Sequence, residues 1–242
     1  MTPSFGPPSS FPDPQTALED PEGLLAIGGD LSTERLIDAY RHGIFPWFED
    51  HQPILWWSPA VRAVIWPQKF KPSRSLTKTI RRDDFRVEFN TQFEAVIRQC
   101  REHRLSQGEG TWITESMCEA YLRLHRQGQA HAVSCHRGDD LVGGLYGLSV
   151  GGLFCGESMF SIDRDASKVA FAYLMKLCVY LSIDLVDCQM PNPHLLSLGA
   201  EPMDRELFLE HLEARRDLGD HLRERQGVFL RYDSDSLFPA QS

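Results

Sequence analysis

Between residues 130 and 160 the chain alternates apolar runs with turn residues, and this stretch constrains the fold more than any other. Ala130 to His136 predicts a strand, Arg137-Gly138-Asp139-Asp140 a turn, and Leu141 to Val150 a second strand. Gly151-Gly152 then turns the chain into a third strand, Leu153 to Phe160. Strands joined so tightly can only pair antiparallel, because a parallel neighbour needs a long crossover. An antiparallel meander is therefore expected, with the glycines at 143, 144, 147, 151, 152 and 156 assigned to tight hairpins.

Helical patterns flank this meander. Ser73 to Arg82 predicts a basic helix. Phe85, Val87 and Phe89 alternate with polar residues, as in a half-buried strand. Thr91 and Glu94 have capping-box spacing ahead of a helix bearing Phe93, Val96, Ile97 and Cys100. A further helix starts near Thr114, a long apolar one covers Ala166 to Leu181, and Glu206 to Arg216 closes the series before a polar tail. Helices that interrupt an antiparallel sheet predict an α+β fold. Upstream, six prolines fall within residues 1–21, which predicts an extended arm. A helix capped by Ser32 carries Leu36, Ile37 and Tyr40 on one face and ends at Gly43. The boundary between this small N-terminal unit (1–60) and the larger domain (61–242) is set near residue 60, after the aromatic, Pro-punctuated stretch.

Some function classes are excluded at this level. No apolar run approaches the roughly 18–20 residues of a membrane span. Met1 to Gln15 has neither the basic nor the apolar region of a signal peptide, so the expected compartment is the cytoplasm. The six cysteines form no CxxC pair and read as buried thiols; the histidines include no HExxH, and no metal site is expected. The glycines match no nucleotide-binding loop.

Candidate chemistry lies in two strands. In Ile183 to Gln189, alternation puts Ile183, Leu185, Asp187 and Gln189 on one face, so that a carboxylate and an amide continue a core face. Glu157 is the lone carboxylate of Leu153 to Phe160. Gly156-Glu157-Ser158-Met159-Phe160 lacks the second glycine of a nucleophile elbow, which argues against Ser158 as a hydrolase nucleophile. Charge is uneven: residues 62–104 sum to +6 in a chain of net charge −9. A basic segment on an acidic protein suits local phosphate contact. The aromatics at Phe45, Trp47, Phe48, Trp56, Trp57 and Trp112 could stack on unpaired bases or fill a core.

Seven blocks carry a family resemblance. They are Gly23-Leu24-Leu25-Ala26-Ile27-Gly28-Gly29-Asp30-Leu31, Gly43-Ile44-Phe45-Pro46-Trp47-Phe48, Ile54-Leu55-Trp56-Trp57-Ser58-Pro59, Gly110-Thr111-Trp112-Ile113-Thr114, Leu153-Phe154-Cys155-Gly156-Glu157-Ser158-Met159-Phe160, Ala166-Ser167-Lys168 and Asp187-Cys188-Gln189. In this order and spacing, from about Phe11 to about residue 212, the chain resembles the leucyl/phenylalanyl-tRNA–protein transferases. The resemblance implies a small N-terminal domain and a GNAT-like acyltransferase domain with a mostly antiparallel central sheet. It implies transfer of Leu or Phe, less readily Met, from aminoacyl-tRNA to proteins beginning with Arg or Lys, marking them for N-end-rule degradation. No metal or added cofactor is implied, because the ester is already activated, and a monomer is expected.

By the same resemblance, Gln189 orients the attacking amine or accepts a hydrogen bond from it, Asp187 polarises Gln189 and is the nearest candidate base, and Glu157 holds the ammonium group of the aminoacyl ester; the alternative, in which tRNA ribose and water relay the proton and the protein mainly positions substrates, stays open. Leu145, Phe154 and Met159 match positions lining a pocket for the Leu or Phe side chain, with Leu145 standing where Met is usual. Trp47, Trp112 and Tyr121 match positions around the terminal adenosine, and Arg74, Lys78, Arg81 and Arg82 a tRNA-binding patch. Two rival readings remain. A coenzyme-A-dependent N-acyltransferase would need a [QR]xxGx[GA] pyrophosphate loop, which the chain lacks. A non-catalytic RNA-binding module would use the carboxylates only as structure.

Overall fold

In a computed structural model, residues 11–108, 110–219, 222 and 228–230 are described. A short 3-10 turn, Pro14–Thr16, is followed by β1 (Leu24–Ile27), α1 (Thr33–Arg41), β2 (Phe45–Pro46) and β3 (Leu55–Trp57). The three strands form a small antiparallel sheet in the order β1-β3-β2. Ser32 caps α1, accepting a hydrogen bond from the Arg35 N–H, and Gly43 leaves the helix at φ +71°. Of the expected Pro-rich arm, residues 1–10 lie outside the described residues, and the rest includes the Pro14–Thr16 turn.

The rest of the chain runs β4 (Val61–Ile65), α2 (Arg74–Arg81), β5 (Arg86–Phe89), α3 (Phe93–Ser106), α4 (Glu115–Arg126), β6 (Ala130–Arg137), β7 (Asp140–Val150) and β8 (Leu153–Ser161). It continues through α5 (Ala166–Tyr180), β9 (Leu185–Asp187), α6 (Pro193–Ser197), β10 (Glu201–Asp204), α7 (Arg205–Glu213) and β11 (Val228–Leu230). The eight strands form one sheet, β10-β4-β9-β8-β7-β6-β5-β11. β8 and β9, joined by the α5 crossover, pair parallel, and the other ladders are antiparallel, so the sheet is mixed. The fold is α+β. Among the described residues no helix is long and apolar enough to cross a membrane.

Four local expectations are corrected. The Thr91–Glu94 capping box does not form: Thr91 donates its hydroxyl to Glu88 (2.6 Å), Glu94 pairs with Arg98 (3.0 Å), and Gln92 caps α3 without a side-chain bond. Gly143, Gly144 and Gly147 sit inside β7, not in hairpins. A Cβ on Gly143 would lie 2.6 Å from that of Ala166, so this glycine lets α5 approach the sheet closely. Ile183 to Gln189 is a strand only over Leu185–Asp187, because Gln189 takes φ +64° and leaves the extended conformation. Within the expected polar tail, Val228–Leu230 pairs with β5 at the sheet edge.

The hydrophobic core has two parts. One packs α5, α2 and their face of the sheet around Phe154, Phe171, Leu174 and Val186. The other joins Leu25, Leu36, Tyr40, Phe45 and Trp56 of the N-terminal unit to Phe93, Val96, Met117, Tyr121 and Leu148. The N-terminal unit therefore shares a core with α3, α4 and β7.

Candidate active site

The parallel ladder between β8 and β9 ends at Cys155 paired with Asp187. Beyond it the two chains part, and Gly156–Met159 and Cys188–Met190 line a half-open cavity of about 660 Å³. The register between β7 and β8 also shifts here: Tyr146 faces Ser158 and Gly147 faces Gly156, leaving Glu157 as the extra residue of a bulge. A bulge re-aims one side chain out of strand alternation. Gly147 permits it, since a Cβ there would meet the Cys155 carbonyl at 2.2 Å and the Phe154 ring at 2.7 Å.

Glu157 is 9% exposed and converges with groups from three other segments. Its Oε1 accepts from the Tyr40 hydroxyl of α1 (2.6 Å) and from the Gln189 amide (2.8 Å). Its Oε2 lies 3.0 Å from the Tyr121 hydroxyl of α4, and the two phenol oxygens are 2.5 Å apart. Burial pushes the Glu157 carboxyl up to about 7; the nearby Asp187 charge acts in the same direction, and hydrogen bonding to its neighbours tempers the rise.

Asp187 has a different environment. It is 1% exposed and is held by the equally buried Arg62, whose Nε lies 3.2 Å from Oδ1 and whose Nη2 contacts Oδ2. Oδ1 also accepts the Gln189 backbone N–H (2.9 Å). The remaining Arg62 nitrogen donates to the Gly43 carbonyl (3.1 Å), and the guanidinium lies over Phe45 and Phe208. Asp187 thus reaches Gln189 through the backbone and not through its amide. Both carboxylate oxygens are engaged, and it does not line the cavity. The carboxylate expected as the nearest base is thus paired with Arg62 at the end of β9, and Gln189 turns out of the strand alternation.

The apolar wall includes Leu145, Phe154 and Met159, joined by Phe171 and Leu174 from α5 and by Val186. Trp47 and Trp112 stand at the same cavity, edge to face at 6.2 Å. Arg104 stacks on Trp112 with its guanidinium carbon 3.7 Å from the ring centroid. Tyr121 does not join them: it is fully buried, its hydroxyl bound among Tyr40 and Glu157, with no face open to a base. Arg74, Lys78, Arg81 and Arg82 are all exposed on or just after α2. Among the described residues none of the four joins an ion pair with another side chain. The helix packs against α5, which itself lines the cavity.

Sequence reasoning missed Tyr40, Arg62, Phe171 and Leu174. Tyr40 lay on the apolar face assigned to core. Arg62 offered one signal, a single cation inside the otherwise apolar Val61–Ile65.

Comparison with known proteins gives consistent matches. The family model described as "Leucyl/phenylalanyl-tRNA protein transferase" matches residues 64–213, and that of its N-terminal domain residues 29–60. A Pseudomonas fluorescens protein named leucyl/phenylalanyl-tRNA–protein transferase is 51% identical over 212 residues, covering 88% of this chain and 93% of its own. One of the same name from Shewanella denitrificans is 52% identical over 202 residues, 84% of this chain and 85% of its own. Among solved structures, FemX superposes with a TM-score of 0.50 at 9% identity, over 75% of this chain and 71% of its own, a likeness of fold.

Proposed function

We propose a route by which this chain, which belongs to the leucyl/phenylalanyl-tRNA–protein transferase family, transfers an aminoacyl group from aminoacyl-tRNA to a protein N-terminus. The reaction is aminolysis of an ester. The acceptor nitrogen must lose a proton as the carbonyl becomes tetrahedral, and the ribose oxygen must gain one as it leaves. The observation that carries the assignment is the contrast between two buried carboxylates: Asp187 is paired with Arg62, while Glu157 pairs with no cation among the described residues and opens to the cavity.

In this reading Glu157 takes the proton of the acceptor amine and returns it to the ribose 3′ oxygen. A base near neutrality matches both transfers. The free α-amino group, near 8 in an unperturbed chain, is within reach of such a base. Gln189 donates to Glu157 through its amide nitrogen, which leaves its carbonyl oxygen to accept from the amine and orient it. Asp187 acts as a positioning residue, fixing the Gln189 backbone. Leu145, Phe154 and Met159 receive the Leu or Phe side chain, and a wall of flexible side chains tolerates both. Trp47 and Trp112 flank the terminal adenosine, and Arg74, Lys78, Arg81 and Arg82 contact tRNA phosphates. An acceptor beginning with Arg or Lys suits a chain of net charge −9, and a charged-tRNA substrate puts the reaction in the cytoplasm. The larger domain is read as GNAT-like, the protein as a monomer, and the chemistry as needing no cofactor, since the ester supplies the activation.

The test is transfer of radiolabelled leucine or phenylalanine from its tRNA to a peptide starting with Arg, against one starting with Ala, without coenzyme A. Label on the Arg peptide alone, lost in Glu157→Gln, is the expected result. Transfer that persists in Glu157→Gln refutes the assigned base, and label on both peptides refutes the acceptor rule.

A further inference from the structure

Tyr40, Tyr121 and Glu157 place three oxygen pairs in contact, at 2.5, 2.6 and 3.0 Å. Each phenol has one proton. Two oxygens 2.5 Å apart cannot sit together without a proton between them, so one phenol proton fills the Tyr40–Tyr121 contact. The second phenol proton can fill only one of the two contacts with Glu157, Tyr40 to Oε1 or Tyr121 to Oε2. The remaining contact is filled by a proton on Glu157 itself, and either direction around the three groups closes the ring.

We infer that Tyr40, Tyr121 and Glu157 form a closed ring of hydrogen bonds, completed when Glu157 carries a proton, and that the two tyrosines are positioning residues for the proton exchanged during transfer. The inference rests on Glu157 being the base of the reaction. The acceptor nitrogen forms its bond to the carbonyl carbon and gives its proton to the Glu157 carboxylate, which closes the ring. When the bond between the carbonyl carbon and the ribose 3′ oxygen breaks, that proton passes to the leaving oxygen and the ring opens. No other reagent is consumed. Tyr40 comes from α1, so the N-terminal unit supplies one corner of the proton-handling site.

The other titratable groups around Glu157 do not occupy this contact. Tyr146 of β7 and Cys155 of its own strand interact with it only through charge. Arg62 of β4 is engaged by Asp187 of β9 and the Gly43 carbonyl, and Gln189 meets Oε1. From α3, Cys100 and Arg104 face Tyr146.

The ring is read on the acid form: with it, removing either phenol takes a hydrogen bond from the carboxylic acid, whereas phenols that meet only the carboxylate leave the acid unchanged when removed. The experiment is infrared spectroscopy of protein labelled with isotopic glutamate at a pH where Glu157 carries its proton, the carboxylic-acid C=O band assigned by disappearance in Glu157→Gln. Tyr40→Phe and Tyr121→Phe should each move that band toward the free-acid end of the range. A band unmoved in either variant overturns the ring. Should a variant fail to melt cooperatively, the wild-type band decides: a donating, doubly accepting acid absorbs at the low end of the carboxylic-acid range, and a band at the free-acid end refutes the ring. Transfer by Glu157→Gln at the wild-type rate would instead refute the base assignment, whichever way the tyrosine bands move.

Discussion

Replacing Asp187 with alanine removes the partner of a fully buried guanidinium. Arg62 is 2% exposed and directs two of its nitrogens at Asp187. Breaking a buried ion pair from one side leaves an uncompensated charge and costs about 3–5 kcal/mol. For a chain of this size each kcal/mol lowers the melting temperature by about 2–4 °C, so Asp187→Ala should melt roughly 6–20 °C below the wild type. Its turnover would fall too, but that loss alone would not separate chemistry from folding. The double variant Arg62→Met, Asp187→Leu does. Exchanging both charges for apolar groups of similar volume is often neutral or stabilising, against which the Gly43 carbonyl loses one donor, worth about 1 kcal/mol. Calorimetry should show most of the melting temperature restored. Single-turnover transfer should stay low, because the Gln189 N–H still lacks its acceptor on Asp187. An Asp187→Ala protein that melts within about 2 °C of the wild type would refute the energetic reasoning. A double variant with wild-type turnover would refute the positioning role of Asp187.

Glu157→Gln should change the pH dependence of stability. The folded protein holds that proton up to about 7 while the unfolded chain releases it near 4.5, so wild-type stability relative to the variant should fall as pH rises through this window, by on the order of 3 kcal/mol; denaturant melts at several pH values would read it, and a flat difference would contradict the buried acid. Arg81→Glu with Arg82→Glu should weaken tRNA binding and reduce the log–log salt slope by about 2, and an unchanged slope would move the tRNA surface off α2. Phe154→Ala should raise KM for phenylalanyl-tRNA by roughly tenfold or more, whereas an unaltered KM would put the side-chain pocket elsewhere. Gly147→Ala, whose Cβ would overlap the Cys155 carbonyl, should cost about 1–3 kcal/mol and lower kcat by disturbing the bulge that aims Glu157; wild-type melting would show the bulge to be dispensable.

Local sequence signals located the elements but not the departures that make the site. The meander, the Ser32 cap, the helix start near Thr114 and the apolar helix after Ala166 are legible because each depends on residues a few positions apart. Thr91 was misread because its hydroxyl found a better partner in Glu88, an interaction of tertiary placement. Alternation along Ile183 to Gln189 failed at one residue, where positive φ turned Gln189 toward Glu157. Alternation also could not foresee the Glu157 bulge, since whether β7 or β8 holds the extra residue is a property of the pair. Tyr121 is expected beside a base because it matches a family position around the terminal adenosine, but α4 packs it against α1.

Two acids on adjacent parallel strands, two residues apart in register, are driven to different tasks by what the N-terminal unit places beside them. Gly43, just after α1, accepts from Arg62 and helps hold the guanidinium on Asp187. Tyr40, three residues earlier, brings a neutral hydroxyl to Glu157 and no cation. An acid facing a cation is fixed as a structural charge; one facing only neutral donors stays near the point of exchanging its proton. The same short segment therefore sorts the two carboxylates. The larger domain expressed from residue 61 would lack both Tyr40 and Gly43, along with the apolar residues that α1 and β2 add to the shared core. It should melt without a cooperative transition and show no transfer, and the separate N-terminal peptide should restore transfer only at concentrations that reassemble the core. A domain from residue 61 that is active alone would show that Glu157 and Asp187 keep their roles without α1 and Gly43.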